Sequence, residues 1–328
     1  MSPHRAHHSG AAFWLLTLVF AAGCATTGAT SSVAGAGAVT PPPGAKVMPP
    51  WERSPSGGRV FQVPDIDNVP DLYGDAQDAQ LVVFFAGNQF MVVPDLLDAF
   101  RAEHPEVQRI FVETLPPGIL LSQMQQGALI IGNLRLTARP DVFAAGKGRI
   151  DQLAHEGRFS DTASYASNRL SIMVRAGNPL GVRTVSDLGR PDVRVSMPNP
   201  AWEGVARQIE GIYRKAGGVA LDSTIMHTKV ASGTTTLTQI HHRQTPIRIL
   251  EGRADAGPVW YTEAYFQRMI GNPIDLVEIP DAINFHVVYT AGALRDAPHP
   301  EAARAFVEFL RTPRARAVYT KYGFLPPR

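Results

Sequence analysis

Short apolar runs alternate with longer amphipathic segments through the first half of the folded chain. The runs at 81–85, 109–113 and 141–145 have the length of buried strands. The segment at 94–103, which follows the first run, carries apolar residues at helical spacing. This alternation predicts a parallel sheet covered by helices, in which ligands bind beyond the carboxyl ends of the strands.

The same alternation continues after residue 170. Further strands are predicted at 170–174, 193–197, 222–229, 254–260 and 285–289. Helices are predicted at 201–216, 300–310 and 313–321. Another helix is predicted to begin with Thr245 as its N-cap, because Pro246 then takes the first helical position.

The N-terminus carries an apolar run at 13–22, with Arg5 before it and small residues after it. This run is too short to span about 30 Å of hydrocarbon as a helix and is typical of a secretory signal peptide. Cys24 follows the small residues directly and resembles the cysteine of a bacterial lipobox, although Ala21 stands where that motif usually has Leu. We therefore predict a signal peptide at 1–23 and lipid attachment at Cys24. The chain has no other cysteine, so no internal disulfide is expected.

The segment at 24–78 is rich in Ala, Gly, Ser, Thr and Pro in its first part, which ends at about residue 64. Such a composition buries too little apolar surface to offset the loss of chain entropy on folding. We predict a flexible linker that holds the folded part away from a membrane.

The charge balance excludes one large class of function. Lys and Arg number 31 against 29 Asp and Glu, a formal net charge of +2, whereas nucleic-acid binding normally requires a strong basic excess.

The sequence carries no nucleophile elbow and no zinc-protease helix motif. We therefore expect a protein without catalytic activity or cofactor, with an exported enzyme as an open alternative.

Three segments resemble the molybdate-binding, extracellular solute-binding proteins of ABC transporters. They are RPDVFAA at 139–145, EGRADAGPV at 251–259 and the C-terminal pair HPEAARAF and YGFLP at 299–326. The resemblance implies a type II periplasmic binding protein, an α/β fold of two lobes with a ligand cleft between them. Lobe 1 would comprise 79–169 plus 290–328 and lobe 2 would comprise 175–284, joined by hinge strands at 170–174 and 285–289.

The resemblance also implies a function. A monomer anchored to the membrane by its lipid would capture a small ligand, an oxyanion or another anion, in the periplasm. It would then deliver the ligand to an ABC permease or present it to a sensor protein.

The family holds tetrahedral oxyanions with hydroxyls and with backbone N–H groups at helix N-termini. Asn88 stands where the family has Ser, Trp260 where it has Tyr, and a segment at 128–137 is inserted before the third strand. The ligand-binding residues predicted by this comparison are Asn88, Gln89, Gly118, Trp202, Glu203, His242, Arg243, Thr245, Trp260 and Tyr261.

Two other uses of these residues stay open. His242, Glu203 and Tyr261 are possible ligands of a metal ion in a metal-binding or metal-sensing protein on the same scaffold. Trp202, Trp260, Tyr261 and Tyr265 could instead form an aromatic pocket for an organic ligand.

Overall fold

The computed structural model describes residues 60–61, 72–131, 134–201, 203–239 and 243–327. The predicted signal peptide, Cys24 and most of the predicted linker lie outside these residues, as do Trp202 and His242. None of the described helices has the length and apolar character needed to cross a membrane.

The described strands are β1 (Val60–Phe61), β2 (Leu72–Tyr73), β3 (Leu81–Ala86), β4 (Ile110–Leu115), β5 (Leu129–Ile131), β6 (Leu134–Leu136), β7 (Val142–Gly146), β8 (Phe159–Arg175), β9 (Val195–Met197), β10 (Thr235–Leu237), β11 (Ala256–Trp260), β12 (Ile274–Glu278) and β13 (His286–Leu294). The described α-helices are α1 (Val93–Glu103), α2 (Pro117–Gln126), α3 (Lys147–His155), α4 (Gly204–Ser223), α5 (Lys229–Ala231), α6 (Gln244–Leu250), α7 (Tyr261–Met269), α8 (Pro300–Phe309) and α9 (Pro313–Lys321).

One long strand joins the two halves of the main sheet. The first part of β8 pairs with β13, and its last residues pair with β11 and β12. On one side of β8 the strand order is β13, β7, β3, β4, β2 and β1; on the other side it is β11, β9 and β10. We call these halves lobe 1 and lobe 2, and together they form the predicted two-lobed α/β fold.

Each lobe has its own hydrophobic core. In lobe 1, the apolar strands β3 and β7 are covered on both faces, with Phe85 in one buried cluster and Phe84 in another. In lobe 2, β9 and α4 supply Val195, Ile209 and Tyr213 to a separate cluster. Strands covered on both faces explain the continuous apolar runs of the sequence.

The two predicted hinge segments lie on the strands that join the lobes. Residues 170–174 belong to β8, and residues 285–289 overlap the start of β13. β8 already begins at Phe159, and β13 runs on to Leu294. Because neither strand is limited to its predicted hinge segment, the lobe boundaries stay a prediction.

Two predicted elements are wrong. Residues 222–229 are helical and not a strand: they complete α4, form a π-helical turn at Thr224–Thr228 and enter α5. Their buried positions, Asp222, Ile225 and Lys229, follow helical spacing. The helix predicted to start with Thr245 as N-cap instead begins at Gln244, because the Thr245 hydroxyl bonds the Ser196 hydroxyl at 2.9 Å.

The segment at 128–137 forms a β-hairpin of its own, in which β5 and β6 pair antiparallel. It follows the C-terminal end of α2, at the opposite end of that helix from Gly118. The inserted residues therefore add a hairpin to lobe 1 without interrupting its main sheet.

Candidate functional site

A cleft with a volume of about 670 Å³ opens at the carboxyl ends of the parallel strands. Its walls come from the segments that follow β3, β4 and β7 in lobe 1 and β9 and β11 in lobe 2, and the start of β13 closes one side. The β3–β4 and β3–β7 pairs are parallel, as is the β9–β11 pair. The cleft thus lies where an open α/β sheet binds its ligands.

The first loop of lobe 1 brings Asn88 to the cleft. Asn88 is 3% exposed, and its Nδ2 donates a hydrogen bond to the hydroxyl of Tyr289, which also lines the cleft. Burial raises the pKa of Tyr289, so its hydroxyl stays protonated at neutral pH. This contact fixes the Asn88 amide at the floor of the cleft.

Gln89 lies beside Asn88 but turns away from the lining of this cleft. Its side chain is fully buried, and neither amide atom has a hydrogen-bond partner in the described part of the chain. Gln89 therefore carries buried polar atoms that the fold itself does not satisfy.

The second loop places Gly118 in the cleft, at the start of α2. Pro116 and Pro117 precede it and supply no N–H group. This helix end therefore offers an anion fewer backbone donors than an ordinary helix N-terminus does.

The third loop brings charged residues that the sequence analysis missed. Lys147, Gly148 and Arg149 line the cleft at the start of α3, which has no side-chain cap. Lys147 Nζ contacts both carboxylate oxygens of Asp151 at 2.7 Å, and Arg149 bonds Gln152 at 2.8 Å. Their position directly after the strand predicted at 141–145 is the signal that could have identified them, because helix starts that follow parallel strands bind ligands in such sheets.

The wall from lobe 2 is the start of α4, with Gly204, Val205, Arg207 and Gln208. Arg207 is exposed and forms no hydrogen bond or ion pair within the residues that the structure describes. The sequence analysis missed it as well, because it lies in the second turn of a helix and not in a loop.

Glu203 precedes α4 but does not line the cleft. It is 3% exposed, and Oε1 accepts hydrogen bonds from the Asn199 backbone N–H at 3.1 Å and from the Thr238 hydroxyl. Its carboxylate therefore holds the loop at 198–201 against β10 and the residue after it.

The aromatic residues predicted to act together are separated. Trp260 lines the cleft, with its ring 6.3 Å from Phe285 and 6.2 Å from Tyr289. Tyr261 lies under the guanidinium of Arg169 at 3.8 Å and stacks on Tyr265 at 5.9 Å. Neither Tyr261 nor Tyr265 lines this cleft.

Arg243 and Thr245 lie at the start of α6 and do not line the cleft either. Arg243 is 1% exposed, and its Nη2 donates to the backbone carbonyl of Thr114 in lobe 1 at 3.1 Å. The Thr245 hydroxyl is bonded to Ser196 inside lobe 2. Arg243 thus bridges the two lobes, whereas Thr245 fastens α6 to β9.

The metal-binding alternative gains no support from the described residues. They contain no group of three or more His, Cys, Asp or Glu side chains that could hold a metal ion. Glu203 and Tyr261 contact different partners in different places. His242 lies outside the described residues.

The electrostatics of the cleft favour negative charge. Lys147, Arg149 and Arg207 are among its described lining residues, and no Asp or Glu is. The helices α3 and α4 both begin at the cleft, and neither has an acidic residue in its first turn. Helix N-termini carry partial positive charge, so the cleft can hold an anion with N–H groups and cations together.

Known proteins share this fold. The sulfate-binding protein SubI from Mycobacterium tuberculosis H37Rv superposes with a TM-score of 0.60 at 20% identity, over 75% of this chain and 86% of that one. The periplasmic molybdate-binding protein of Azotobacter vinelandii superposes with a TM-score of 0.61 at 16% identity, over 76% of this chain and all of that one. These similarities show a periplasmic binding-protein fold.

Sequence similarity extends over most of the chain. The molybdate-binding protein ModA of Mycobacterium tuberculosis (strain ATCC 25618 / H37Rv) is 28% identical over 259 residues, which cover 77% of this chain and 88% of that protein. Residues 81–325 also match the family model of bacterial extracellular solute-binding proteins. The match covers both lobes and every wall of the cleft, and the chain therefore belongs to the family of bacterial extracellular solute-binding proteins.

Proposed function

We propose that this protein captures a small anion in the cleft and passes it to an ABC permease or a sensor protein, without catalysing a reaction. The observation that carries the proposal is the lining of the cleft. Cationic side chains and uncapped helix ends converge there, and no described carboxylate faces the ligand. The names of the similar proteins, which bind molybdate or sulfate, support an oxyanion or a related anion.

Capture requires contacts from both lobes. Asn88, Gly118 and Trp260 are the predicted ligand-binding residues that line the cleft, and we assign them direct contact with the ligand. The first two lie in lobe 1 and Trp260 ends β11 in lobe 2. A ligand that touches both walls stabilises the closed arrangement, because it gains contacts there that an open arrangement lacks.

The remaining predicted residues have supporting roles in this proposal. Glu203 and Thr245 hold the lobe 2 loops, and Arg243 holds the lobes against each other. Gln89 supplies an amide close to Asn88, and Tyr261 anchors the start of α7 through Arg169. Trp202 and His242 lie outside the described residues, and we propose them as further ligand contacts on the basis of the sequence alone.

The N-terminal pattern supports export and anchoring. We propose that residues 1–23 are removed as a signal peptide, that Cys24 carries the lipid, and that 24–78 is the linker. The protein would then act as a membrane-anchored monomer in the periplasm. Its lobes would be 79–169 plus 290–328 and 175–284, with the joining segments as hinges.

Calorimetric titration of the full-length protein in mild detergent tests this function. Molybdate, tungstate, sulfate, phosphate, small carboxylates and divalent metals would be titrated separately. We expect at least one anion to bind, and Asn88→Asp to weaken it by about tenfold or more, because a carboxylate at that position repels the ligand.

The matched control is Gln125→Glu, which adds the same charge at the exposed end of α2, outside the cleft. This variant should bind like the wild type. Binding of a divalent metal and of no anion would contradict the proposal.

A further inference from the structure

The size and the lining of the cleft point to more than a bare tetrahedral oxyanion. We propose that the ligand is an organic anion, with a phosphate or carboxylate group held by Lys147 and Arg207 and an apolar or planar part held against Trp260 and Phe285. This inference rests on the proposed function and names the class of its ligand.

Volume is the first argument. The cleft measures about 670 Å³, within the range of about 300–1,000 Å³ that is typical of sites for organic ligands. A tetrahedral oxyanion is only a central atom with its oxygens and would leave most of this space to water. A larger ligand touches both walls in the present arrangement, whereas a bare oxyanion would reach both only after the lobes had closed.

The apolar wall is the second argument. Trp260, Phe285 and Val287 line the cleft together, and the rings of Trp260 and Phe285 pack at 6.3 Å. An oxyanion gains little from the apolar faces of these side chains, because an ionised group loses hydration there. An organic group gains dispersion contacts and, if it is planar, stacking on the indole.

The arrangement of the cations is the third argument. Lys147 comes from α3 in lobe 1, and Arg207 comes from α4 in lobe 2. Arg207 forms no hydrogen bond or ion pair to any described residue, so its guanidinium is available to a ligand. The Arg207 guanidinium can hold two oxygens of a carboxylate or phosphate at once.

The charge on Lys147 is only partly neutralised. Its Nζ contacts Asp151, yet half of each side chain is exposed, and the lysine has further donors to offer. No Asp or Glu is among the described residues that line the cleft. An anionic group between the two helix starts therefore meets positive charge from both lobes.

A matched pair of probes tests the inference: phenyl phosphate, which has both parts of the expected ligand, and inorganic phosphate, which has only one. Each would be titrated into the full-length protein in mild detergent, with citrate and molybdate as further probes. We expect phenyl phosphate to bind at least about tenfold more tightly than inorganic phosphate and molybdate.

Three variants assign the two ends of the ligand. Arg207→Gln should weaken organic-anion binding by about tenfold and reduce its dependence on salt. Trp260→Leu should remove the advantage of phenyl phosphate over inorganic phosphate. Arg304→Gln, the control, removes an exposed charge on α8 outside the cleft. It should change neither the affinity for organic anions nor the advantage of phenyl phosphate.

The outcomes separate this inference from the proposed function. Tight binding of molybdate or sulfate that Arg207→Gln does not affect would overturn the inference and leave the proposed function standing. Absence of binding by every anion of both classes would overturn both. If Trp260→Leu unfolds the protein, a variant with Trp14, Trp51 and Trp202 replaced by Phe tests the same contact, because quenching of its remaining tryptophan by phenyl phosphate and not by inorganic phosphate reports on Trp260.

Discussion

Arg243, at the start of α6 in lobe 2, donates a hydrogen bond from Nη2 to the backbone carbonyl of Thr114, at the end of β4 in lobe 1, over 3.1 Å. Its guanidinium also lies 5.1 Å from the ring of Phe90, another residue of lobe 1. Because the arginine is almost fully buried, the contact holds the two lobes together away from bulk solvent.

Arg243→Ala should weaken this contact between the lobes. We expect a loss of roughly 1–3 kcal/mol in the free energy of unfolding, because a buried hydrogen bond from the charged guanidinium to the Thr114 carbonyl is removed. Urea denaturation measures the loss, and small-angle scattering should show a larger radius of gyration. Arg304→Ala on α8 is the control, and an equal effect of both variants would contradict the bridging role.

Glu113 should make stability depend on pH. Burial in lobe 1 raises its pKa from 4.5 to about 8, although Gln123 donates a hydrogen bond to Oε1 at 2.8 Å. Between these two values the folded protein keeps a proton that the unfolded chain releases. The contribution of Glu113 to stability is therefore fully present below pH 4.5 and is lost as the pH rises to 8, by about 1.4 kcal/mol per pH unit at most.

Glu113→Gln removes this dependence, because an amide fills the same space without titrating. Urea denaturation of both proteins between pH 5 and 8 measures the difference in slope. Parallel curves for the two proteins would show that Glu113 is ionised in the folded state.

Gly257→Ala should destabilise lobe 2. A Cβ at this position would lie 2.5 Å from Thr245 Cγ2 and 2.7 Å from the Ser196 carbonyl oxygen, where backbone cannot yield easily. Overpacking of this kind costs about 1–3 kcal/mol. Gly211→Ala is the matched control: its Cβ meets nothing within 4 Å, so it should stabilise α4 by about 0.5–1 kcal/mol.

Asn284 ties the start of β13 to β8. Its Nδ2 donates to the carbonyls of Leu170 and Ile279, both at 3.0 Å, and its Oδ1 accepts from the Leu170 and Phe285 N–H groups at 3.1 and 2.7 Å. Asn284→Asp keeps the shape but removes both donors, so we expect a loss of roughly 1–3 kcal/mol at neutral pH. Denaturation at pH 7 and pH 4 checks this, since a protonated Asp regains one donor. If the loss in free energy of unfolding is the same at pH 4 as at pH 7, the missing donors are not its cause.

Cys24→Ser should abolish lipid attachment. Without a thiol the chain cannot be acylated at this position, so labelled palmitate should not be incorporated and the protein should leave the membrane fraction. Thr27→Ser is the control and should keep the label. Palmitate labelling of Cys24→Ser at the wild-type level would contradict the predicted anchor.

The amino-acid sequence by itself determined most of the secondary structure and the class of fold. Apolar runs of strand length alternate with helical patterns, and each pattern reflects a buried face that local spacing defines. The segment at 222–229 was misassigned because a short run with mixed apolar and polar residues suits either structure. Its helical burial pattern became clear only when Ile225 and Lys229 had neighbours to pack against.

Sequence reasoning also found part of the cleft lining. The resemblance to the solute-binding family implied Asn88, Gly118 and Trp260 as ligand-binding residues, and all three line the cleft. The resemblance did not lead to Lys147, which is the first residue of α3 and follows β7 directly.

The direction of each side chain was decided by tertiary structure alone. Trp260 and Tyr261 are neighbours in the sequence, yet Trp260 faces the cleft and Tyr261 lies under Arg169. Arg207 and Lys147 are 60 positions apart and line one cleft only because the two lobes fold against each other. Local spacing fixes which residues form a helix or a strand, whereas the residues that meet across a cleft depend on packing between distant segments.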